Sequence, residues 1–178
     1  MGALDLILST AGGETRRFRV ATLLLAVSVL SLASAYYFQF VLNLPPCQLC
    51  LIQRWPFYAA IPAAALAAWT SGRAPAVSRI LLALIGLGFL AGAGVAAFHA
   101  GVEWKFWPGL AGCSNTFSTV DNADAFLQRL QQVQVVSCEE AAWRFAGISL
   151  AGWNVPLSLI LAILAFTGVV GRGKNARS

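Results

Sequence analysis

The sequence predicts an all-α membrane protein, a four-transmembrane-helix bundle with two outer loops, the second long and carrying a short interfacial helix. Three observations carry this. Of 178 residues, 58% are hydrophobic and only 11% charged, against about 25% charged in an ordinary soluble domain. Four apolar stretches, at residues 18–42, 51–69, 80–100 and 152–170, each approach the roughly 20 residues a helix needs to cross a hydrocarbon core about 30 Å thick. The basic residues are concentrated at alternate ends of these stretches. The whole chain, residues 1–178, therefore reads as a single integral membrane domain.

The first stretch follows "TRRFRV" and opens as "ATLLLAVSVLSLASA", which imitates a cleavable signal with a basic region, an apolar core and a small-residue site. It continues without a break through "YYFQFVL" to residue 42, so it is read as an uncleaved span. The first outer loop, residues 43–50, holds "NLPPCQLC". The second stretch contains Arg54, Pro56 and Pro62 in a mostly alanine body; prolines near a helix start are tolerated, and in lipid a kink is re-satisfied by neighbouring helices. The third carries Gly86, Gly88, Gly92 and Gly94, a spacing that lets helices approach closely. The second outer loop, residues 101–151, starts with Trp104, Phe106 and Trp107, suited to a membrane interface. In "DNADAFLQRLQQV" an apolar stripe behind Asp121 predicts the short helix. "AAWRFAGISLAGW" is apolar but too short and interrupted to span, and is read as interfacial.

Lys and Arg in short flanking loops stay cytoplasmic. Arg16, Arg17 and Arg19 precede the first span, Arg73 and Arg79 lie between the second and third, and Arg172, Lys174 and Arg177 follow the fourth. The other side holds five of the seven acids: Glu103, Asp121, Asp124, Glu139 and Glu140. Both termini are thus expected in the cytoplasm. The net charge of +5 follows the same rule and calls for no nucleic acid; membrane lipid is the expected surrounding.

This topology puts all four cysteines on the outer face, where disulfides persist. Four cysteines allow three pairings, and the sequence favours Cys47 with Cys50 and Cys113 with Cys138. The second pair encloses 24 residues and suits a structural staple, since stabilisation grows with loop length. The first encloses two and restrains little; C-x-x-C is the spacing of redox chemistry, in which one thiol attacks and its neighbour resolves. A helix starting near Cys50, behind Pro45 and Pro46, would favour a thiolate there. Arg54, four residues on, would sit on the same face and lower that thiol further or stabilise charge on an acceptor. A zinc ribbon needs two close pairs, and the 24-residue separation and oxidising side disfavour it, so no metal is expected. His99, the single histidine, ends the third span at the depth of Cys50 and Arg54, with Glu103 four residues later; it and Arg54 are placed to donate hydrogen bonds to a quinone carbonyl.

Taken together, four spans, "PPCQLC", an arginine four residues after the second cysteine, a histidine ending the third span and a separated second cysteine pair resemble the bacterial disulfide bond formation protein B (DsbB) family, over nearly the whole chain. The resemblance implies a thiol:quinone oxidoreductase of the bacterial inner membrane, with the cysteines periplasmic. Cys113 and Cys138 would exchange with a periplasmic thioredoxin-fold dithiol oxidase of the DsbA type, Cys113 being the site of the mixed disulfide. Electrons would pass to Cys47 and Cys50, and Cys50 would engage ubiquinone or menaquinone through a charge-transfer or transient covalent contact. Arg54, His99 and Glu103 would line the quinone site, and the quinone pool would feed the respiratory chain. Gln53 stands where some members carry an acid, and Glu103 where some carry glutamine, which bears on proton path and quinone preference.

Two other readings compete. A vitamin K epoxide reductase-like enzyme also joins quinones to thiol exchange, but there the loop cysteines precede the C-x-x-C, the reverse of the order here. A small transporter or assembly protein stapled by its disulfides would need polar residues within the spans, and these are scarce.

Overall fold

The structure, a computed structural model, describes residues 12–109 and 137–170. Helix α1 runs Gly13–Phe40, α2 Gln48–Ile52, α3 Trp55–Thr70, α4 Pro75–Glu103 and α5 Leu150–Val170, with strands β1 Arg144–Phe145 and β2 Ile148–Ser149 just before α5. The four longer helices form a ring in which α1 packs on α3, α3 on α4, α4 on α5 and α5 back on α1.

Each helix buries one stripe. On α1 the buried residues are Arg17, Val20, Ala21, Leu24, Ser28 and Leu32, a spacing of three and four that keeps them on one face. α3 contributes Phe57, Ala60, Ala64 and Ala67; its alanines bring the backbones close, and Phe57 meets Phe89 of α4 edge-on with ring centroids 5.2 Å apart. The opposite faces stay apolar: Leu30, Leu84, Leu87, Ile160 and Ile163 are all exposed, an exterior that hydrocarbon solvates and water does not. Among the described residues three helices, α1, α4 and α5, are long and apolar enough to cross a membrane.

The expected second span is divided. Residues 51–69 do not form one helix, because α2 ends at Ile52 and α3 begins at Trp55. Pro56 is the cause: it lacks an N–H, and inside a continuous helix its ring would clash with the carbonyl of Ile52; as N1/N2 of a new helix it is accommodated. What remains, α3, has 16 residues and is about 24 Å long. Of the third-span glycines, Gly86 faces the Phe166 ring and Gly92 faces Pro56, while Gly88 and Gly94 meet nothing within 4 Å. Two of the four thus serve close helix packing.

At one end of the bundle the buried Arg17 guanidinium donates to the Ser71 carbonyl (2.8 Å), and Ser78 Oγ donates to the Ala67 carbonyl (2.9 Å); together they close the α3–α4 turn against α1. At the other end, residues 144–149 of "AAWRFAGISLAGW" form a hairpin, and Leu150 onward begins α5. β1 and β2 pair antiparallel, Arg144 opposite Ser149 and Phe145 opposite Ile148. The two-residue turn places Ala146 at φ 52° and Gly147 at φ 81°, the doubly positive geometry that matches strand twist. The expected interfacial helix around residues 121–133 lies outside the described residues.

Candidate functional site

The chain between α1 and α2 is built to turn and stop. Asn43 takes φ 51°, Leu44 N–H closes back on the Phe38 carbonyl (3.1 Å), and Pro45 and Pro46 hold the next residues extended. Cys47 is then the N-cap of α2, and its sulfur accepts from the Cys50 backbone N–H at 3.3 Å. One helical turn later, Cys50 Sγ lies 2.9 Å from Cys47 Sγ. Both are thiols, since a disulfide would bring the sulfurs to about 2.05 Å.

The two thiols differ in charge. The hydrogen bond from Cys50, aided by His99, lowers the Cys47 thiol to about 4 despite the opposing effect of burial. Cys50 moves the other way: its hydrogen bond to Cys47, then burial, then the neighbouring negative charge all push it up. In the dithiol state the lowered thiol is therefore Cys47 and the raised one Cys50. The physical reason is position, because Cys47 occupies the cap and receives the donors. Arg54 does not contribute to either shift.

His99 is 2% exposed near the end of α4. Its Nε2 is 3.6 Å from Cys47 Sγ and 3.7 Å from Glu103 Oε1. Its Nδ1 is 2.7 Å from the side-chain nitrogen of Gln53, and Gln53 Oε1 in turn accepts from Asn154 Nδ2 of α5 (2.8 Å). The amide nitrogen of Gln53 can only donate, so Nδ1 accepts and the ring proton sits on Nε2, toward the cysteine. Asn154 was not recognised from sequence, and Gln53 was noted only for the acid that some relatives carry in its place. The available signal was a polar residue one turn inside an apolar span, next to Pro156 in "WNVP".

Arg54 caps α3, and the α2–α3 break aims it away from the thiols. Its guanidinium donates to Gln39 Oε1 (2.7 Å) and lies 5.3 Å from the centroid of the Tyr36 ring. Glu103 is buried, and its Oε2 has no hydrogen-bond partner.

These groups share a cavity of about 350 Å³. Leu32, Phe38, Phe57, Trp143 and Leu157 supply apolar wall, and Cys47, Cys50, Arg54, His99 and Glu103 supply polar points. Few polar groups in a mostly apolar concavity is the usual construction of a small-molecule site. Cys138 is disulfide-bonded and fully buried. It packs with Cys47, Leu49 and Val102, and its sulfur, that of Cys47 and a His99 ring nitrogen lie within 4.8 Å of one another. The salt bridge from Lys105 to the adjacent Glu139 (2.7 Å) pins this segment beside the end of α4. Cys113 lies outside the described residues. Of the seven residues expected at the site, five line this cavity, and a sixth, Cys138, packs against Cys47 beside it.

Comparison with known proteins gives the family of the chain. Residues 16–168 match the family described as disulfide bond formation protein DsbB. The chain is 31% identical over 168 residues to disulfide bond formation protein B of Acidovorax sp. (strain JS42), covering 92% of this chain and 93% of the relative. It is 35% identical over 140 residues to the protein of that name from Herminiimonas arsenicoxydans, covering 76% and 84%, and 34% identical over 152 residues to that from Burkholderia pseudomallei (strain 1106a), covering 83% and 86%. Three membrane-length apolar helices and a cysteine pair at a helix cap are therefore features of a disulfide oxidoreductase, and the chain belongs to the DsbB family of disulfide bond formation proteins.

Proposed function

We propose that this protein is a membrane thiol:quinone oxidoreductase that reoxidises a DsbA-like, thioredoxin-fold dithiol oxidase in the periplasm and passes the electrons to a membrane quinone. The observation that carries the reading is the approach of one sulfur from each cysteine pair, Cys47 and Cys138, to the same His99, on the wall of an apolar cavity.

The chain is read as one domain of four spans, with both termini cytoplasmic. α3 is short for a span, but the end of α2 precedes it on the outer side, and Leu51 to Thr70 together cover the needed depth. The basic residues around α1 and the α3–α4 turn support this orientation.

The relay proceeds by thiolate attack. The partner's thiolate attacks the disulfide proposed between Cys113 and Cys138, forming a mixed disulfide at Cys113 and releasing Cys138. Cys138 then attacks Cys47 of the oxidised Cys47–Cys50 pair, forming an interloop bond and releasing Cys50 as thiolate. Contact through Cys47 is favoured over contact through Cys50, because Cys47 packs against Cys138. The largest cause that raises Cys50, its hydrogen bond to Cys47, is absent while Cys47 is bonded, which favours charge on Cys50 facing the cavity. The partner's second thiol resolves the mixed disulfide, Cys113 recovers Cys138, and Cys47 returns to Cys50 as two electrons leave.

The cavity fits a quinone: it is apolar-walled, and its polar points are a guanidinium, an imidazole and a carboxyl group. A quinone there supplies a two-electron, two-proton acceptor. Arg54, held by Gln39 and Tyr36, offers fixed donors to one carbonyl; His99 and Glu103 are the nearby groups able to hold or give a proton.

The test adds a reduced thioredoxin-fold dithiol oxidase and a soluble quinone to the purified protein in detergent and follows quinone absorbance. Reduction that requires the partner's thiols and disappears in Cys50→Ser supports the relay. Untouched quinone beside intact disulfides would return the cysteines to the role of staples. The reversed cysteine order sets the chain apart from a vitamin K epoxide reductase-like enzyme.

A further inference from the structure

We infer that Cys47, His99 and Cys138 form a binding site for one thiophilic divalent cation, such as Zn²⁺, once the Cys138 disulfide has been reduced. This goes beyond the electron relay, which uses no metal, and it concerns a different state of the same sulfurs.

The geometry carries it. The two sulfurs and a His99 nitrogen are all buried and lie within 4.8 Å of one another. Around a tetrahedral Zn²⁺, with bonds of about 2.3 Å to sulfur and 2.05 Å to nitrogen, a sulfur and a nitrogen stand about 3.6 Å apart and two sulfurs about 3.8 Å. Cys47 Sγ and His99 Nε2 already stand at 3.6 Å. The Cys47 and Cys138 sulfurs need to close by at most about 1 Å to reach such an edge. Cys50 is a poorer ligand beside Cys47, because 2.9 Å is shorter than a tetrahedral edge between two sulfurs.

A second, independent observation points to the same place. Glu103 is 8% exposed, its Oε1 is 3.7 Å from His99 Nε2, and its Oε2 has no partner. A buried carboxylate oxygen left without a donor is costly, and a cation beside His99 would satisfy it. The donor set is then two thiolates, an imidazole and a carboxylate. The spacing of the cysteines along the chain hides this site, since a zinc ribbon joins close pairs whereas here one sulfur comes from each pair and the histidine from a third element.

Ligation also suits the surroundings of His99. Metal-bound imidazoles donate their other N–H to a neighbouring oxygen. On binding, the ring proton moves to Nδ1 and the Gln53 and Asn154 amides turn together, so that Gln53 Oε1 accepts. Binding displaces the thiol proton of Cys138 to solvent. While Cys47 and Cys138 are tied to the cation, neither sulfur can form the bond between the two cysteine pairs, so the metal holds back the reduced form and spares the oxidised one.

The test titrates Co²⁺, a spectroscopic stand-in for Zn²⁺, into the full chain in detergent under anaerobic conditions. One sample is fully reduced by a phosphine, the other oxidised at Cys138. One equivalent bound by the reduced chain, with thiolate-to-cobalt charge transfer and intense tetrahedral bands that excess Zn²⁺ removes, and no binding by the oxidised chain, is expected. This comparison needs no variant. Cys138→Ser and His99→Ala should each weaken binding at least tenfold, and Glu103→Gln less. Equal binding by the oxidised chain, weak octahedral bands, or unchanged affinity in Cys138→Ser would overturn the inference. Each can occur with quinone reduction intact, so its failure is separate from that of the relay.

Discussion

The Gln53 carboxamide donates to His99 Nδ1 across 2.7 Å, and this single contact fixes which edge of the imidazole carries a proton toward Cys47. Removing the donor in Gln53→Leu leaves the His99 tautomer unset and Asn154 without its acceptor. The hydrogen bond reaching the thiolate is then lost in part. Because a hydrogen bond to a charged group contributes about 1.5–3 kcal/mol, the Cys47 titration should move up by about one to two pH units. The thiolate ultraviolet absorbance of the reduced protein reads this directly. Asn154→Leu should move it the same way by less, and an unshifted midpoint in Gln53→Leu would show that His99 is oriented by something else.

Cys47 titrates at about 4, against 9.0 for an unperturbed thiol. Its ionised form therefore stabilises the reduced pair fully above pH 9, and this stabilisation is lost as pH falls toward 4. Between those limits, reducing the Cys47–Cys50 disulfide takes up one proton for two electrons, since Cys50 remains protonated. The pair's potential should fall by about 30 mV per pH unit near neutrality, steepening to about 59 mV below pH 4, where both sulfurs are protonated. Equilibration with a redox buffer followed by thiol trapping measures the slope. A slope of about 59 mV at neutral pH would mean that Cys47 is an ordinary thiol.

Close packing of α4 on the start of α3 should tolerate no side chain at Gly92. A Cβ there would stand 2.9 Å from Pro56 Cγ, whereas one at Gly88 would meet nothing within 4 Å. Gly92→Val is expected to cost about 1–3 kcal/mol through overpacking. That corresponds to about 2–4 °C of melting temperature per kcal/mol in detergent for a chain of this size. Gly88→Ala should leave melting unchanged or raise it, because alanine favours the helix. Equal effects of the two variants would mean that Gly92 does not set the helix separation.

Hydropathy made the long helices legible because length and apolarity are summed properties of a segment: α4 and α5 lie within a few residues of their expected ranges. The depth shared by Cys50, Arg54 and His99 followed from topology alone. The sequence could not reveal direction. Arg54 lies four residues beyond Cys50, but the break imposed by Pro56 turns its side chain to Gln39, so spacing along an assumed helix misjudged its partner. Which thiol is lowered in the dithiol state was hidden for the same reason, since which cysteine caps α2 depends on where the prolines release the chain. The Asn154–Gln53–His99 chain joins three separate segments, and no local pattern encodes such a contact.

The anchoring of Arg54 by Gln39 at 2.7 Å and by the Tyr36 ring at 5.3 Å bears on quinone use. A guanidinium held in a fixed plane presents its remaining donors in one direction, at little entropic cost on binding. Gln39→Leu keeps the charge and removes its anchor. Under the quinone reading, its KM for quinone should rise about tenfold, the equivalent of about 1.4 kcal/mol, with kcat held within about twofold, since no thiol is touched. Arg54→Lys should behave alike, because an ammonium keeps the charge but loses the planar stack. Steady-state quinone reduction with saturating partner dithiol separates the two parameters. A fall in kcat at unchanged KM would place Arg54 in the electron-transfer step and not in holding the acceptor. An unaltered Gln39→Leu enzyme would mean that the guanidinium finds its orientation from the quinone itself.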